Sequence, residues 1–394
     1  MVLLDKPFVS DFLQKTLEEN RYPVIDTNLP ADLVSTQSLK LISEKEAVLM
    51  KKQDEDLLIY SNSENSIAWI EKNLPFSTLP EKIRLFKNKV IFREHIRDMY
   101  PDYFFKAVPF NELGNLDINN IPVPFIIKPA VGFFSMGVYK VDHRREWEET
   151  LINIRKEVLE NQQAYPKEVI NTTDFIIEEV IEGDEFAIDC YFSKEGKPVI
   201  LNIMQHIFSS GKDVSDRLYF TSKKVIRKNL KKMEIFLSEI NRRTGVKNFP
   251  SHVEVRITKE GTLIPIEVNP MRFGGWCSSP DMAWYAFGIN EYEYFLNRRE
   301  PDWDAILEKG NDKVYAIVIL DNSTGIDGRD IAAFDYDKLL AGFQHPLDIR
   351  KANYKEYPLF GLLFCETDNE KSSEITQILR SDLRNYVKSR VLKN

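Results

Sequence analysis

Apolar and polar positions alternate along residues 252–269 (HVEVRITKEGTLIPIEVN) in the two-residue rhythm of a half-buried strand, broken once at Glu260 and Gly261. Val253, Val255 and Ile257 fall on one face, and His252, Glu254 and Arg256 on the other. The pattern predicts a β-hairpin. A symmetric two-residue turn at Glu260 and Gly261 sets Glu254 opposite Glu267 and His252 opposite Asn269, with Arg256 on the same face. Shorter strand-like runs occur at 57–60, 125–128, 137–141, 175–180, 186–192, 199–204, 314–320 and 359–365. Helical periodicity predicts helices over 64–73, with Ser61 and Glu64 as a capping box, and over 86–100, 144–160, 223–243 and 373–391. In the 223–243 segment Ile226, Leu230, Met233, Leu237 and Ile240 form the apolar stripe, and the lysines form a solvated face. Lys89, Arg93 and Arg97 recur every four residues and share one helix face.

Strands mixed with helices indicate an α/β (α+β) chain. Its 394 residues predict three units: an N-terminal α/β domain (1–85), a central domain (86–300) and a C-terminal α/β appendage (301–394). With 53 Lys+Arg against 61 Asp+Glu, the net charge of -8 excludes a bulk nucleic-acid binder. Cys190, Cys277 and Cys365 lie far apart in an otherwise Cys-poor chain, so neither a disulfide framework nor a Cys-based zinc site is readable. They read as reduced thiols of a cytoplasmic protein, and no apolar run suggests a signal peptide or a membrane span. The expectation is therefore a cytoplasmic enzyme with no nucleic-acid or membrane partner, with a homodimer as the default assembly.

Two segments carry chemistry. Carboxylates opposite each other on a hairpin lie about 5 Å apart and repel by about 3 kcal/mol at an effective dielectric near 20. A cation between them removes that cost. Glu254, Glu267 and the Asn269 amide oxygen form a hard, all-oxygen set suited to Mg²⁺ or Mn²⁺ rather than zinc; Arg256 neutralising a solvent-facing pair is the plainer alternative. The run after Asn269, Pro-Met-Arg-Phe-Gly-Gly, places Arg272 beside Gly274 and Gly275, where a fixed cation and accessible backbone suit an anionic group. In the other segment Lys128 ends a strand and leads into Gly132, Ser135, Met136 and Gly137, a possible backbone anion nest that lacks the Gly-Lys-Ser/Thr close of a Walker loop. Farther on, Glu178, Glu179 and Val180 end a strand, followed by Gly183 and Glu185.

In order, Lys89, Lys128 with its glycine loop, Glu178–Glu179 with Gly183 and Glu185, and Glu254 with Glu267-Val268-Asn269 resemble the motifs of the ATP-grasp superfamily over residues 85–290. The resemblance implies an ATP-grasp fold with a small mobile lid at about 122–182 and ATP held between two antiparallel sheets. It implies that Lys89 and Lys128 contact the phosphates and that Gly132, Ser135, Met136 and Gly137 cover them. By it, Glu178, Glu179 and Val180 meet the adenine, Glu185 meets the ribose, and Glu254, Glu267 and Asn269 hold Mg²⁺ (or Mn²⁺) on the phosphates. Arg272, with Gly274 and Gly275, is similar to the segment that binds a substrate carboxylate or acyl phosphate in amino-acid ligases, and Lys128 and Arg272 are the expected catalytic cations. The implied activity is ATP-dependent carboxylate–amine ligation through an acyl phosphate, with small-molecule carboxylate and amine substrates, amino acids as the best guess. Residues 209–216 with Arg217 are expected to seal the site, and the aromatics of 276–285 to wall a side-chain pocket. A phosphotransferase on the same fold and a non-catalytic ATP-binding regulator are the competing readings.

Overall fold

The computed structural model describes residues 1–132, 137–161, 174–208 and 217–389. Strands β1 (Val2–Leu3), β2 (Pro23–Asp26), β3 (Lys40–Ser43) and β4 (Tyr60–Ser61) form a parallel sheet in the order β3-β2-β1-β4. Helices Asp11–Asn20 and Glu44–Gln53 connect these strands. Each begins on a serine, Ser10 accepting from Leu13 N–H and Ser43 from Glu46 N–H, which satisfies donors the helix itself leaves unpaired. The 57–60 run pairs only at its end, in β4. Ser63, not Ser61 with Glu64, caps the next turn, so the expected capping box is absent and Glu64 is left for another role.

The predicted 86–100 helix is instead broken at Asn88. Helix Leu79–Lys87 ends there, and the Asn88 side chain accepts from Val90 and Ile91 N–H to start a new helix, Lys89–His95. This restart turns Phe92 and Arg93 inward and leaves Ile91 exposed. An asparagine that both ends and caps is the physical reason, because its short side chain competes with the helix backbone.

Strands β5 (Phe105–Pro109), β6 (Phe125–Pro129), β7 (Tyr139–Val141) and β8 (Asp174–Glu179) form an antiparallel sheet in the order β5-β8-β6-β7. Helix Trp147–Asn161 covers it, and Trp147, Leu151 and Ile154 pack on Phe125, Ile127, Phe175 and Ile177 in a core of their own. A separate core lets this sheet behave as a unit.

The third sheet has eight strands: β9 (Asp184–Phe192), β10 (Pro198–His206), β11 (Leu218–Thr221), β12 (Phe249–Ile257), β13 (Leu263–Pro270), β14 (Val314–Asp321), β16 (His345–Lys351) and β17 (Leu359–Thr367). Its order is β13-β12-β9-β10-β11-β14-β17-β16, so the strands after residue 301 extend the sheet that carries the carboxylate hairpin. Helix Lys223–Thr244 lies on it through Ile226, Met233, Leu237 and Ile240, and ends at Gly245 with φ +61°. Two short strands, β15 (Ile331–Phe334) and β18 (Val387–Ser389), pair separately. The expected 373–391 helix stops at Arg380. Asp382 accepts from Arg384 N–H to start a short 3₁₀ turn, which buries Leu383 before β18.

Val180–Gly183 joins the four-stranded sheet to the eight-stranded one. A Cβ on Gly183 would lie 2.1 Å from the Ile257 carbonyl oxygen, and φ is +140°, so only glycine fits this crossing. Among the described residues no helix is long and apolar enough to cross a membrane.

Candidate active site

The hairpin pairs as read near its base: Glu254 faces Glu267 and His252 faces Asn269. It is not symmetric throughout. The turn runs from Thr258 to Thr262, whose backbones exchange a 2.9 Å hydrogen bond, and a bulge between Glu254 and Val255 restores the register. The unpaired residue of the bulge is Ile266 on β13, while Arg256 on β12 turns to its neighbour across β9, binding Glu185 at 2.9 Å and the Ile181 carbonyl at 2.5 Å. Lys89 supplies the cation instead, its Nζ 2.9 Å from Glu267 Oε2. Asn269 Nδ2 donates to Glu267 Oε1 at 3.0 Å. Burial opposes the Glu267 charge, but Lys89, Asn269 and Lys128 overcome it and hold the carboxyl well below its usual range. The Lys89 ammonium is likewise opposed by burial and raised by Glu267. Glu254 lies 3.7 Å from His252 Nε2, and His252 Nδ1 pairs with buried Asp189 at 2.6 Å.

Lys128 is buried at the end of β6, with Nζ 2.7 Å from Glu178 Oε2 on β8. The other Glu178 oxygen accepts from Arg93 Nε at 2.5 Å. Burial raises the Glu178 carboxyl, yet Arg93 and Lys128 bring it down to about 2. Gly132 sits against Pro129, while Gly137, at φ +71°, donates its N–H to Glu157 at 3.0 Å. Ser135 and Met136 lie outside the described residues. The Glu179 carbonyl accepts from Tyr103 Oη at 3.2 Å, and burial raises the Glu179 carboxyl. A cavity of about 210 Å³ opens here, lined among others by Tyr103, Val180, Ile181 and Ile264. Glu185 is buried between Arg256 and His206, whose Nδ1 is 3.2 Å away. Burial opposes its charge, and His206 and Arg256 pull its carboxyl down.

Arg272 follows β13 and is held from the N-terminal sheet's side. Its Nη2 and Nε reach Glu64 at 2.8 and 3.1 Å, and Nη1 donates to the Phe273 carbonyl at 2.7 Å. Lys87 binds the same Glu64 carboxylate. The Gly274 N–H is already committed to Ser279 Oγ at 3.0 Å, and a Cβ there would collide with that oxygen at 2.0 Å, whereas Gly275 faces open space. Ser279 also donates to Asp189, joining this loop to His252 and the carboxylate pair. Arg217 pairs with the end of β14 and the residues after it: Nε donates to Asp321 at 2.8 Å and Nη2 to Ser323 at 3.3 Å. The 209–216 segment lies outside the described residues. Trp276 packs between Phe8 and Tyr357, Trp284 on Phe12 and Tyr285 on Phe364, so the three do not share one wall.

The fold thus gathers Lys89, Lys128, Glu178, Glu254, Glu267 and Asn269 around the opening between two sheets, with Arg272 at the end of the hairpin strand. Sequence reasoning missed the Glu64–Lys87 pair and the inward turn of Arg93. Only the asparagine before Lys89 could have signalled the latter. Among the described residues no three His, Cys, Asp or Glu side chains cluster as a metal site. The Glu254–Glu267 pair with one facing ammonium still fits a divalent ion whose remaining ligands are phosphates and waters.

A family model for the ATP-grasp domain matches residues 121–280. No curated protein sequence matches the chain. Among solved structures, an L-amino acid ligase from Bacillus licheniformis superposes with TM-score 0.67 at 18% identity, over 99% of this chain and 98% of that one. The N5-carboxyaminoimidazole ribonucleotide synthetase of Thermotoga maritima gives 0.60 at 15%, over 98% of both chains. A phosphoribosylglycinamide synthetase from Anaerococcus prevotii gives 0.55 at 16%, over 99% and 98%. The chain therefore contains an ATP-grasp domain, and its fold is that of the ATP-grasp proteins.

Proposed function

We propose that the protein is an ATP-dependent carboxylate–amine ligase that joins two small molecules, amino acids by preference, through an acyl phosphate with release of ADP and phosphate. The observation that carries this reading is the facing of Glu254 and Glu267 within reach of Lys89, with Lys128 close enough to bias Glu267. Lys89 and Lys128 bind the ATP phosphates, and the loop through Gly132, Ser135, Met136 and Gly137 covers them. Val180, with Glu178 and Glu179, lies along the adenine, and Glu185 reaches the ribose. Glu254, Glu267 and Asn269 hold Mg²⁺ or Mn²⁺, which neutralises charge on the transferring phosphoryl group when bound.

Arg272 and the Gly275 backbone hold the substrate carboxylate, and Gly274 shapes the loop through Ser279. In the first step a carboxylate oxygen attacks the γ-phosphorus, the bond to the ADP oxygen breaks, and an acyl phosphate forms. The amine nitrogen then attacks the acyl carbon, loses a proton, and expels phosphate to leave an amide. Such chemistry asks the protein for positioning and fixed charge and needs no nucleophilic side chain. Resemblance across the whole length to an L-amino acid ligase supports amino acids as the substrate class. The test is ADP release from ATP screened over pairs of amino acids, with Glu267→Ala as control. A pair that stimulates release and yields a dipeptide by mass spectrometry supports the reading. ATP binding with no stimulation by any carboxylate–amine pair favours a regulatory nucleotide binder, and a phosphorylated product without an amine requirement favours a phosphotransferase.

A further inference from the structure

Helix Lys89–His95 carries two inward cations one turn apart, and each grips a carboxylate of a different sheet. Lys89 binds Glu267 on β13, and Arg93 binds Glu178 on β8. The same segment is tied to both sides by its backbone and its tyrosines. Lys89 N–H donates to the Ala130 carbonyl at 2.8 Å, Tyr100 Oη to the Leu263 carbonyl at 2.6 Å, and Tyr103 Oη to the Glu179 carbonyl. Arg93 itself is 2% exposed, lies 4.6 Å from the Tyr103 ring, and its Nη1 and Nη2 have no hydrogen-bond partner. Glu178 is therefore its sole acceptor among the described residues, and Glu178 divides its two oxygens between Arg93 and Lys128.

We infer that Arg93 is a positioning residue for nucleotide binding: by fixing one oxygen of Glu178 it sets where the other presents Lys128, while Lys89 on the same helix sets the opposite side of the cleft. A charge-assisted hydrogen bond from a buried guanidinium holds the carboxylate oxygen that accepts it in a defined place. Without Arg93, Glu178 is free to follow Lys128, and the two neutralise each other away from the phosphates. The inference rests on the nucleotide-site reading above, and it makes Arg93 act through Lys128 rather than on the ligand.

A double-mutant cycle measures this. Binding of magnesium β,γ-imido-ATP is followed by calorimetry in the parent, Arg93→Met, Lys128→Met and the double variant, each shown to unfold cooperatively. Arg93→Met alone should weaken binding by about tenfold or more, the scale of a charged hydrogen bond. In the Lys128→Met background the same change should cost less than about threefold, because residues acting through one another are not additive. Unchanged affinity in Arg93→Met, or a full and additive loss in the double variant, overturns the inference while leaving the nucleotide site intact. A parent that binds no nucleotide overturns the underlying reading and this inference together. If Arg93→Met does not fold, Arg93→Lys takes its place under the same criteria, since a lysine ammonium does not reproduce the position and direction of the Nε–H that holds Glu178.

Discussion

The two sides of the cleft are built from the same kinds of side chain in opposite proportions. On the four-stranded sheet one carboxylate, Glu178, lies between two cations, Arg93 and Lys128, and all three are closed off from water. On the eight-stranded sheet two carboxylates, Glu254 and Glu267, meet one ammonium, Lys89, and Glu267 retains 27% side-chain exposure. One side therefore carries a surplus positive charge and the other a surplus negative charge. A polyphosphate matches the first and a divalent cation the second, and the pair binds as one neutralised unit. The carboxylate hairpin is the more accessible side, with Glu267 at 27% side-chain exposure against 3% for Glu178, so it is the side a ligand reaches first.

The largest effect should come from removing the negative surplus. Glu267→Ala is expected to lower ADP formation by about 100-fold or more, measured by coupled assay, because it removes the group facing Glu254 and releases Lys89. On the opposite side, Lys128→Ala should reduce kcat/KM for ATP by about tenfold to 100-fold, and unchanged turnover would remove Lys128 from the phosphates. Arg272→Ala should raise KM for the carboxylate substrate more than KM for ATP, and equal shifts would make its Glu64 pairing purely structural.

Stability against pH sharpens the contrast further. The Glu178 carboxyl lies near 2 in the folded protein against an ordinary 4.5, so its contribution is present above about pH 4.5 and is lost as pH falls toward 2. The shift corresponds to about 3 kcal/mol. Thermal midpoints of the parent should fall steeply from about pH 4.5 toward pH 2, and Glu178→Gln, though less stable at neutral pH because Arg93 is left unpaired, should show a flatter profile. The smallest effect belongs to Arg217→Ala. With its Nε and Nη2 held by Asp321 and Ser323, nucleotide affinity should stay within about twofold by calorimetry.

What the sequence showed and hid follows from distance along the chain. The Glu254–Glu267 facing was legible because strand alternation and a nearby turn fix it locally, and even the unforeseen bulge preserved it. Arg256 went instead to Glu185, its neighbour across β9, a pairing that no periodicity records. Most strand cores in 125–365 were readable from apolar runs, but β11, β15 and β16 there, and β5 before them, were not: each is short or only partly buried, so its pattern is weak. Lys89 and Arg93 share a face as read, yet Asn88 restarted the helix and turned that face inward. Arg272 meets Glu64 across 208 positions, and Arg217 meets Asp321 across 104, pairings that only the assembled sheets bring about.

The most direct test is whether the carboxylate hairpin holds the ion that accompanies the nucleotide. Mn²⁺ binding followed by electron paramagnetic resonance, with and without ADP, measures it. The parent should bind Mn²⁺ tightly only when ADP is present, and Glu267→Gln should lose that binding while still folding cooperatively. Mn²⁺ held equally well by Glu267→Gln and the parent in the presence of ADP would contradict it.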